Sequence, residues 1–457
     1  MSNALNNAGW IGPLPAAWDV VPLKHRTEYV SRGRSPDYSD TDDGVPVVNQ
    51  ACIYWDGLRL ANMKRHRRET SGGFRGRLLK HDVLINSTGT GTLGRAVVFS
   101  EDGEYLADSH VTIVRASFDL EPRYLRYLIE TDIYQGFIYS VLAPGATNQI
   151  ELSRQGLRAM PIPAPRVEQQ RSIADFLDRK TAAIDELIAK KKRLAALLQE
   201  KRQAVITQAV TKGLDPNVKM KESGVEWIGR VPEHWELRPL RRHLSGIEQG
   251  WSPSCENRPA DGDEWGVVKV GCVNYGRFDP TENKALPASL EPVPSLEIRP
   301  GDVLMSRANT RELVGSAAHV TDTPQRLLLC DKLFRLRYIA TLTNPAFLAF
   351  LLQARPAREQ IERDATGASG SMQNIGQDTV RGLLFAWPSM REQRDIVQFV
   401  QQSLAQLDSL REHVDHSVTK LREYRQSLIT AAVTGKLDVT ADERTVDDRL
   451  TALEASG

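Results

Sequence analysis

Two hydrophobic periodicities divide this chain, and each occurs twice. Short apolar runs bounded by Gly, Asp and Ser come first, and 46–53, 82–86, 95–99 and 111–115 read as strands. Tyr124, Leu128, Tyr134 and Ile138 then carry helical spacing over 121–141. After Pro161, Pro163 and Pro165 the period becomes a heptad. Leu177, Ile184, Leu198 and Val205 form one line, with Leu187 and Leu194 on the other. The order recurs with strands over 266–273, 302–306 and 327–337 and a helix from Pro345 to about Arg363. Val400, Leu407, Val414, Leu421 and Leu428 supply the second heptad run, joined by Leu410, Tyr424 and Ala431. Heptads sustained this long predict helices over about 170–210 and 393–433, each ~60 Å long. Gly213 and Gly435 stand where C-terminal caps belong. Lys180, Lys191, Lys201, Ser403 and Ser417 fall on lines where a dry seam would want leucine.

The recurrence is literal as well as periodic. Trp10-Ile11-Gly12, Pro15, Trp18, Pro22 and Leu23 return as Trp227-Ile228-Gly229, Pro232, Trp235, Pro239 and Leu240, each pair 217 positions apart. Gly33-x-Ser35-Pro36 answers Gly250-x-Ser252-Pro253 at the same offset. Asp82-Val83-Leu84 matches Asp302-Val303-Leu304, Gly94 matches Gly315, and Glu168-Gln169 is aligned with Glu392-Gln393. The halves close alike, Ala209-Val210-Thr211 against Ala432-Val433-Thr434. This predicts a mixed α/β (α+β) fold with two equivalent globular units, 1–164 and 217–388, each followed by a helical segment, 165–216 and 389–438. Residues 439–457 read as a flexible tail. The two long helices would pair antiparallel about a pseudo-twofold, giving a rod between two heads. The repeated tryptophans read as structural anchors; residues that recognise different targets should differ between the halves.

Composition narrows the class. Hydrophobic residues make up 41% and charged residues 26% of 457 positions, ordinary for a globular protein of two or three domains. The absence of a long apolar run excludes a membrane-spanning helix, and no secretory signal is visible, so a cytoplasmic location is expected. Cys52, Cys255, Cys272 and Cys330 lack metal-ligand spacing and read as buried thiols. Net charge is only +1, but 59–80 holds eight basic residues against Glu69, a local charge of +7. Such a run is commonly a solvated loop; inside a repeated globular unit it points to phosphate contacts.

Catalytic signatures are missing. Thr88-Gly89-Thr90-Gly91-Thr92-Leu93-Gly94 lacks the lysine and hydroxyl of a phosphate loop, and no amino-methyltransferase, zinc-protease or serine-elbow motif occurs. Asp263 with Glu282-Asn283-Lys284 resembles a metal-dependent nuclease fragment, but the first half has no counterpart. The chain reads as a non-catalytic binder holding no cofactor or metal. Candidate DNA-binding residues in the first half are Arg34, Lys64, Arg65, Arg67, Arg68, Arg75, Arg77, Asn86, Thr88 and Thr90. In the second they are Trp251, Lys269, Arg277, Arg307, Asn309, Arg311 and Asn374. Arg and Asn suit this role because each makes paired hydrogen bonds to base edges, while cationic side chains also bind phosphates.

Six motifs in the same order, twice, resemble the specificity subunit of type I restriction–modification systems. They include Trp10–Trp18 and Trp227–Trp235, Gly301-Asp302-Val303-Leu304, and the lead-ins Pro163-Ala164-Pro165 to Ile173 and Pro388 to Ile396. The resemblance covers about 9–438. It implies two target-recognition domains, each reading one half of a bipartite asymmetric site in double-stranded DNA, with the rod fixing the spacer. It implies docking of two modification (methyltransferase) subunits, assigned here to an interface along Leu177, Ile184, Lys191, Leu198, Val205, Val400, Leu407, Val414, Leu421 and Leu428. Restriction (translocase and nuclease) subunits would complete a defence against foreign DNA, and S-adenosylmethionine, ATP and magnesium would belong to those partners. Pro259 to Glu264 is an acid-rich insertion of the second head, which also lacks the dense basic run, so equal phosphate grip by both heads does not follow. A self-contained nuclease or methyltransferase and a coiled-coil adaptor without DNA specificity are the competing readings.

Overall fold

Val83-Leu84-Ile85-Asn86 has no exposed position, and it forms an inner strand of a sheet covered on both faces. The computed structural model describes residues 8–39, 43–68, 76–143, 150–369, 372–439, 441 and 443–455. They fall into two compact units: Met1–Arg193 with His413–Gly457, and Leu194–Glu412. The described α-helices are α1 (Pro122–Glu130), α2 (Asp132–Phe137), α3 (Arg154–Ala159), α4 (Val167–Lys212), α5 (Pro345–Gln353), α6 (Arg355–Asp364), α7 (Gln377–Gly382), α8 (Met390–Val433) and α9 (Glu443–Ala455).

In unit 1 an antiparallel sheet runs Thr27–Arg32, Val111–Ala116, Val83–Asn86, Ala96–Val98. Strand alternation sends Val83 and Ile85 toward Tyr124, Leu125 and Leu128 of α1. Leu84, Val97 and Ile113 face a second cluster with Val48, Cys52, Ile53 and Phe99. Unit 2 repeats the sheet as Leu244–Gln249, Leu333–Tyr338, Val303–Ser306, Ala317–His319. Each unit adds a two-stranded ribbon, Asp19–Pro22 with Pro161–Ala164 and Glu236–Pro239 with Leu384–Trp387.

Shared motif residues turn out to hold the frame. Asp82 accepts both arms of Arg115 at 2.8 Å and the Leu79 N–H at 2.7 Å. Asp302 repeats this with Arg335 at 3.2 Å, Arg337 at 3.5 Å and the Arg299 N–H at 2.9 Å. The residue before each aspartate is left-handed, His81 at φ 74° and Gly301 at φ 95°. Gln170 ties the start of α4 down: its amide donates to Pro165 and Asp119 carbonyls and accepts from the Glu121 N–H. Gln393 makes the same three bonds to Pro388, Leu342 and Asn344. The true partner of Gln393 is therefore Gln170, one residue beyond the alignment with Gln169. Trp18 and Trp235 are buried as anchors. Gly435 must be glycine because a Cβ would lie 2.5 Å from Pro15 and 3.1 Å from Trp18. Gly213, in the same αL cap (φ 76°), faces Trp235.

The heptads form α4 and α8, of 46 and 44 residues. Within unit 1 the first part of α4 packs antiparallel on the last part of α8: Leu177, Ile184 and Ile188 share a core with Val418, Leu421 and Leu428. Arg425 pairs with Asp185 across that seam at 3.1 Å. Within unit 2, Ile206 and Val210 of α4 meet Ile396, Val400 and Leu404 of α8. The assignment of the heptad line to a subunit interface is thereby corrected. Leu177, Ile184, Lys191, Val400, Val414, Leu421 and Leu428 are buried within this chain, and Leu198, Val205 and Leu407 are half-buried. These side chains are occupied by the intrachain seam, leaving the outer helix faces for any partner.

Other expectations change too. The helix over 121–141 breaks at Thr131, whose hydroxyl caps α2 by accepting from the Tyr134 N–H. The helix from Pro345 breaks at Ala354, because Pro356 has no N–H to donate to the Leu352 carbonyl and so sits in the first turn of a new helix, α6. The runs 46–53 and 266–273 are strands only to Val48 and Val268 before turning into 3-10 segments. Residues 439–457, expected to form a flexible tail, contain α9, whose Val446 is buried in the unit 1 core and whose Asp447 pairs with Lys180 at 2.5 Å.

Candidate nucleic-acid interface

In unit 1 a small sheet carries the basic run: Lys64–His66 pairs with Val45–Val48 and Tyr38–Ser39. The run is less free than its charge of +7 implies. Arg59 meets Asp56 at 2.6 Å, Arg67 meets Asp37 at 3.6 Å, and Lys80 meets Asp102 at 3.0 Å. Arg68 and Arg77 share Glu104 at 3.5 and 2.5 Å. Lys64 lies over the Tyr38 ring, 5.0 Å from its centroid, and Arg65 donates to the Gly44 carbonyl at 2.9 Å. Exposed pairs of this kind contribute little stability, so phosphate oxygens can replace the carboxylates at small cost. Arg75 lies outside the described residues.

The polar loop after Val83–Asn86 divides into framework and rim. Asn86 is fully buried and donates to the Gln50 carbonyl at 3.2 Å, so it touches no base; its selection as a DNA contact is corrected by that burial. Thr88 bonds Gln50 at 3.0 Å and His110 at 2.8 Å. Thr90 is exposed between the left-handed Gly89 and Gly91. Arg95 closes the loop by donating to the Gly91 carbonyl at 2.9 Å. Exposed Arg34 lies in a cleft of ≈ 560 Å³ with Arg32 and Arg154, which sequence reading did not select.

In unit 2 the rim centres on asparagines. Asn309 donates to Asn274 at 3.3 Å and accepts from the Thr310 N–H at 2.9 Å. Asn374 reaches the same place because Met372–Asn374 pairs with Ala308–Asn309. Arg311 is exposed on the following loop. Beside them Tyr275 is 72% exposed at φ 59°, a strained conformation for a tyrosine. The dipeptide Tyr275-Gly276 was the overlooked signal. Lys269 pairs with Glu282 at 3.6 Å, and half-buried Trp251 packs on the Val267–Leu333 core. Arg307 lies over Phe334, 5.9 Å from the ring centroid, with its Nε buried. Arg277 is held by Asp408 of α8, so it braces the helix pair.

No group able to hold a metal occurs among the described residues. Asp263 is bound by Arg326 at 3.0 Å and Glu282 by Lys269, so the nuclease-like fragment shares no centre. In the acidic insertion, bonding to Arg258 holds the Glu264 carboxyl down at about 2. Burial raises the thiols of Cys52, Cys272 and Cys330, the last to about 11, as expected for inert core cysteines. No described helix is long and apolar enough to cross a membrane.

No family profile matches the sequence. The chain is 26% identical over 440 residues to the type I restriction enzyme EcoKI specificity subunit of Escherichia coli (strain K12), covering 93% of this chain and 90% of that one. It is 26% identical over 204 residues to the EcoEI specificity subunit of Escherichia coli, spanning 44% of this chain but only 34% of that relative. A chain solved in work on complex assembly of the type I R-M system superimposes with a TM-score of 0.69 at 18% identity, over 93% of this chain and 100% of that one. The HsdS subunit from Thermoanaerobacter tengcongensis gives 0.52 at 19% identity, over 93% and 99%. With the doubled frame described above, the chain is similar along nearly its whole length to specificity subunits of type I restriction–modification systems and shares their fold.

Proposed function

We propose that each unit reads one half of a bipartite, asymmetric DNA site and that α4 and α8 set the spacer between the halves. The observation carrying this reading is a repeated frame with unrepeated rims. Asp82 and Asp302, Gln170 and Gln393, and Trp18 and Trp235 hold equivalent positions. By contrast, the rim strand that pairs antiparallel beside each of these frames differs in its side chains, Lys64-Arg65-His66 in unit 1 against Asn283-Lys284-Ala285 in unit 2. A frame that repeats while its rims diverge suits two different base sequences presented on one duplex. Helices of 46 and 44 residues extend ~69 and ~66 Å, enough to bridge at least one DNA turn of ~34 Å.

In this reading the chain is the recognition subunit and performs no chemistry itself. Two modification subunits dock on the outer faces of the helices, where Leu194, Leu197, Phe399 and Leu410 are exposed. Restriction subunits complete the assembly in the cytoplasm, and S-adenosylmethionine, ATP and magnesium are bound by the partners. Genome-wide mapping of methylated adenines with and without this gene tests the role. One bipartite motif should lose its methylation when the gene is deleted; an unchanged pattern contradicts the reading. A chain that cuts or methylates DNA unaided would establish the self-contained enzyme instead.

A further inference from the structure

We propose that unit 1 alone carries a phosphate clamp, in which Arg32, Arg34 and Arg154 seat one backbone phosphate of double-stranded DNA. The proposal rests on the DNA-reading role above and assigns residues that the sequence did not bring together. The clamp is the ≈ 560 Å³ cleft between the end of the strand Thr27–Arg32 and the start of α3, lined by Ser31, Arg32, Gly33, Arg34 and Arg154. Gly33 fixes its floor. A Cβ there would lie 2.0 Å from the Ala107 carbonyl oxygen, so only glycine lets the backbone pass while Arg32 and Arg34 flank it.

The three arginines divide the work. Arg32 is half-buried and held by Glu151 and the Leu152 carbonyl, at 2.5 Å for the latter, with its Nε buried and unpartnered. Arg32 and Arg154 line the same cleft, and burial together with the Arg154 charge lowers the Arg32 pKa. Arg34 and Arg154 are exposed, and among the described residues neither guanidinium has an acidic partner. Among the described residues, Glu151 is the one carboxylate paired with any of these three cations. Such an excess is relieved by an anion, and a phosphodiester presents the oxygens that guanidinium forks match.

The equivalent positions of unit 2 explain why the clamp is one-sided. Strand Leu244–Gln249 and helix α7 place Gln249, Trp251 and Gln377 where unit 1 has Arg32, Arg34 and Arg154. Gly250 keeps the same close approach, 2.0 Å from the Leu329 oxygen. The backbone is retained while every charge is gone. The cleft geometry thus belongs to the common frame, and its charge belongs to unit 1.

The test is fluorescence anisotropy of the full-length chain on a labelled duplex of about 40 base pairs, titrated across about 50 to 300 mM KCl. R34Q/R154Q should lower the slope of log affinity against log salt by about one and weaken binding to all duplexes alike. R34K/R154K should keep most of the slope, and both variants should melt with the wild type because the side chains are exposed. An unchanged slope in R34Q/R154Q, with normal wild-type binding, overturns the clamp and leaves the reader role standing. Displacement of the duplex by inorganic phosphate at matched ionic strength would mark a free-phosphate site and also overturn it. A wild-type chain without salt-sensitive DNA binding overturns both proposals.

Discussion

In unit 1, Arg425 lies between two carboxylates, Glu130 at 2.6 Å and Asp185 at 3.1 Å. In unit 2 the equivalent Arg202 shares one carboxylate, Asp408, with Arg277. Gln353 stands where unit 1 has Glu130, and both residues accept a glutamine amide on their backbone carbonyl, from Gln203 at 2.6 Å and Gln426 at 3.1 Å. The Asp–Arg pair between α4 and α8 is thus common to both units, while its third partner is drawn from the globular part and varies. The comparison separates what positions the readers from what distinguishes them. Backbone-satisfying residues and the seam's Asp–Arg pair recur; the charges at the rim and the seam's third partner do not.

The sharpest way to break this comparison is at the shared aspartates. Asp302→Ala removes the closest carboxylate of Arg335, which is 2% exposed and keeps Glu248 at 3.3 Å, and should cost about 2–3 kcal/mol. Asp82→Ala exposes a partner already 26% accessible and should cost about 1–2 kcal/mol. Urea unfolding of both variants checks the order; equal losses would deny that burial sets the difference.

A second asymmetry is acid sensitivity. His243 of unit 2 is buried, stacked on Trp387 at 3.4 Å and bonded to Thr343, and burial lowers its pKa to about 4. Unit 1 has Arg26 at that position, paired with Asp119. The unfolded chain binds a proton on His243 near pH ~6.5, before the folded one does. Its contribution is fully present above that pH and is lost as pH falls to about 4, by up to about 3 kcal/mol. Urea midpoints at neutral pH and near pH 4 should converge in His243→Gln relative to wild type. An identical pH dependence in the two would exclude His243 as the source.

The smallest effect concerns the variable third partner. Glu130→Gln gives unit 1 the chemistry of unit 2 and should cost about 1 kcal/mol, since Arg425 retains Asp185. A loss above about 3 kcal/mol would make Glu130 part of the frame.

Much of the architecture was legible because it rests on periodicity and repetition. The heptads gave both long helices, and the repeated Asp-Val-Leu segments gave the inner strands. The break between α5 and α6 is marked in the sequence by Pro356, within a helical pattern that otherwise runs on to about Arg363. Val446, Leu450 and Leu453 carry the helical spacing that marks α9 within the expected tail. Gln170 was displaced by one because Glu-Gln pairs look alike until the hydrogen bonds are seen. The interface was less legible. Charge runs do not reveal that Asp37, Asp102 and Glu104 fold back on them. Nor does sequence bring Arg154 into one cleft with Arg32 and Arg34, since that grouping is made by the fold.

The central claim is that two readers act independently on a common frame. Exchanging residues 1–164 for the corresponding head of a homologous specificity subunit, then mapping methylated adenines, tests it most directly. The account predicts that one half of the recognition motif changes while the other half and the spacer stay as they were. New bases on both sides of the spacer would contradict it.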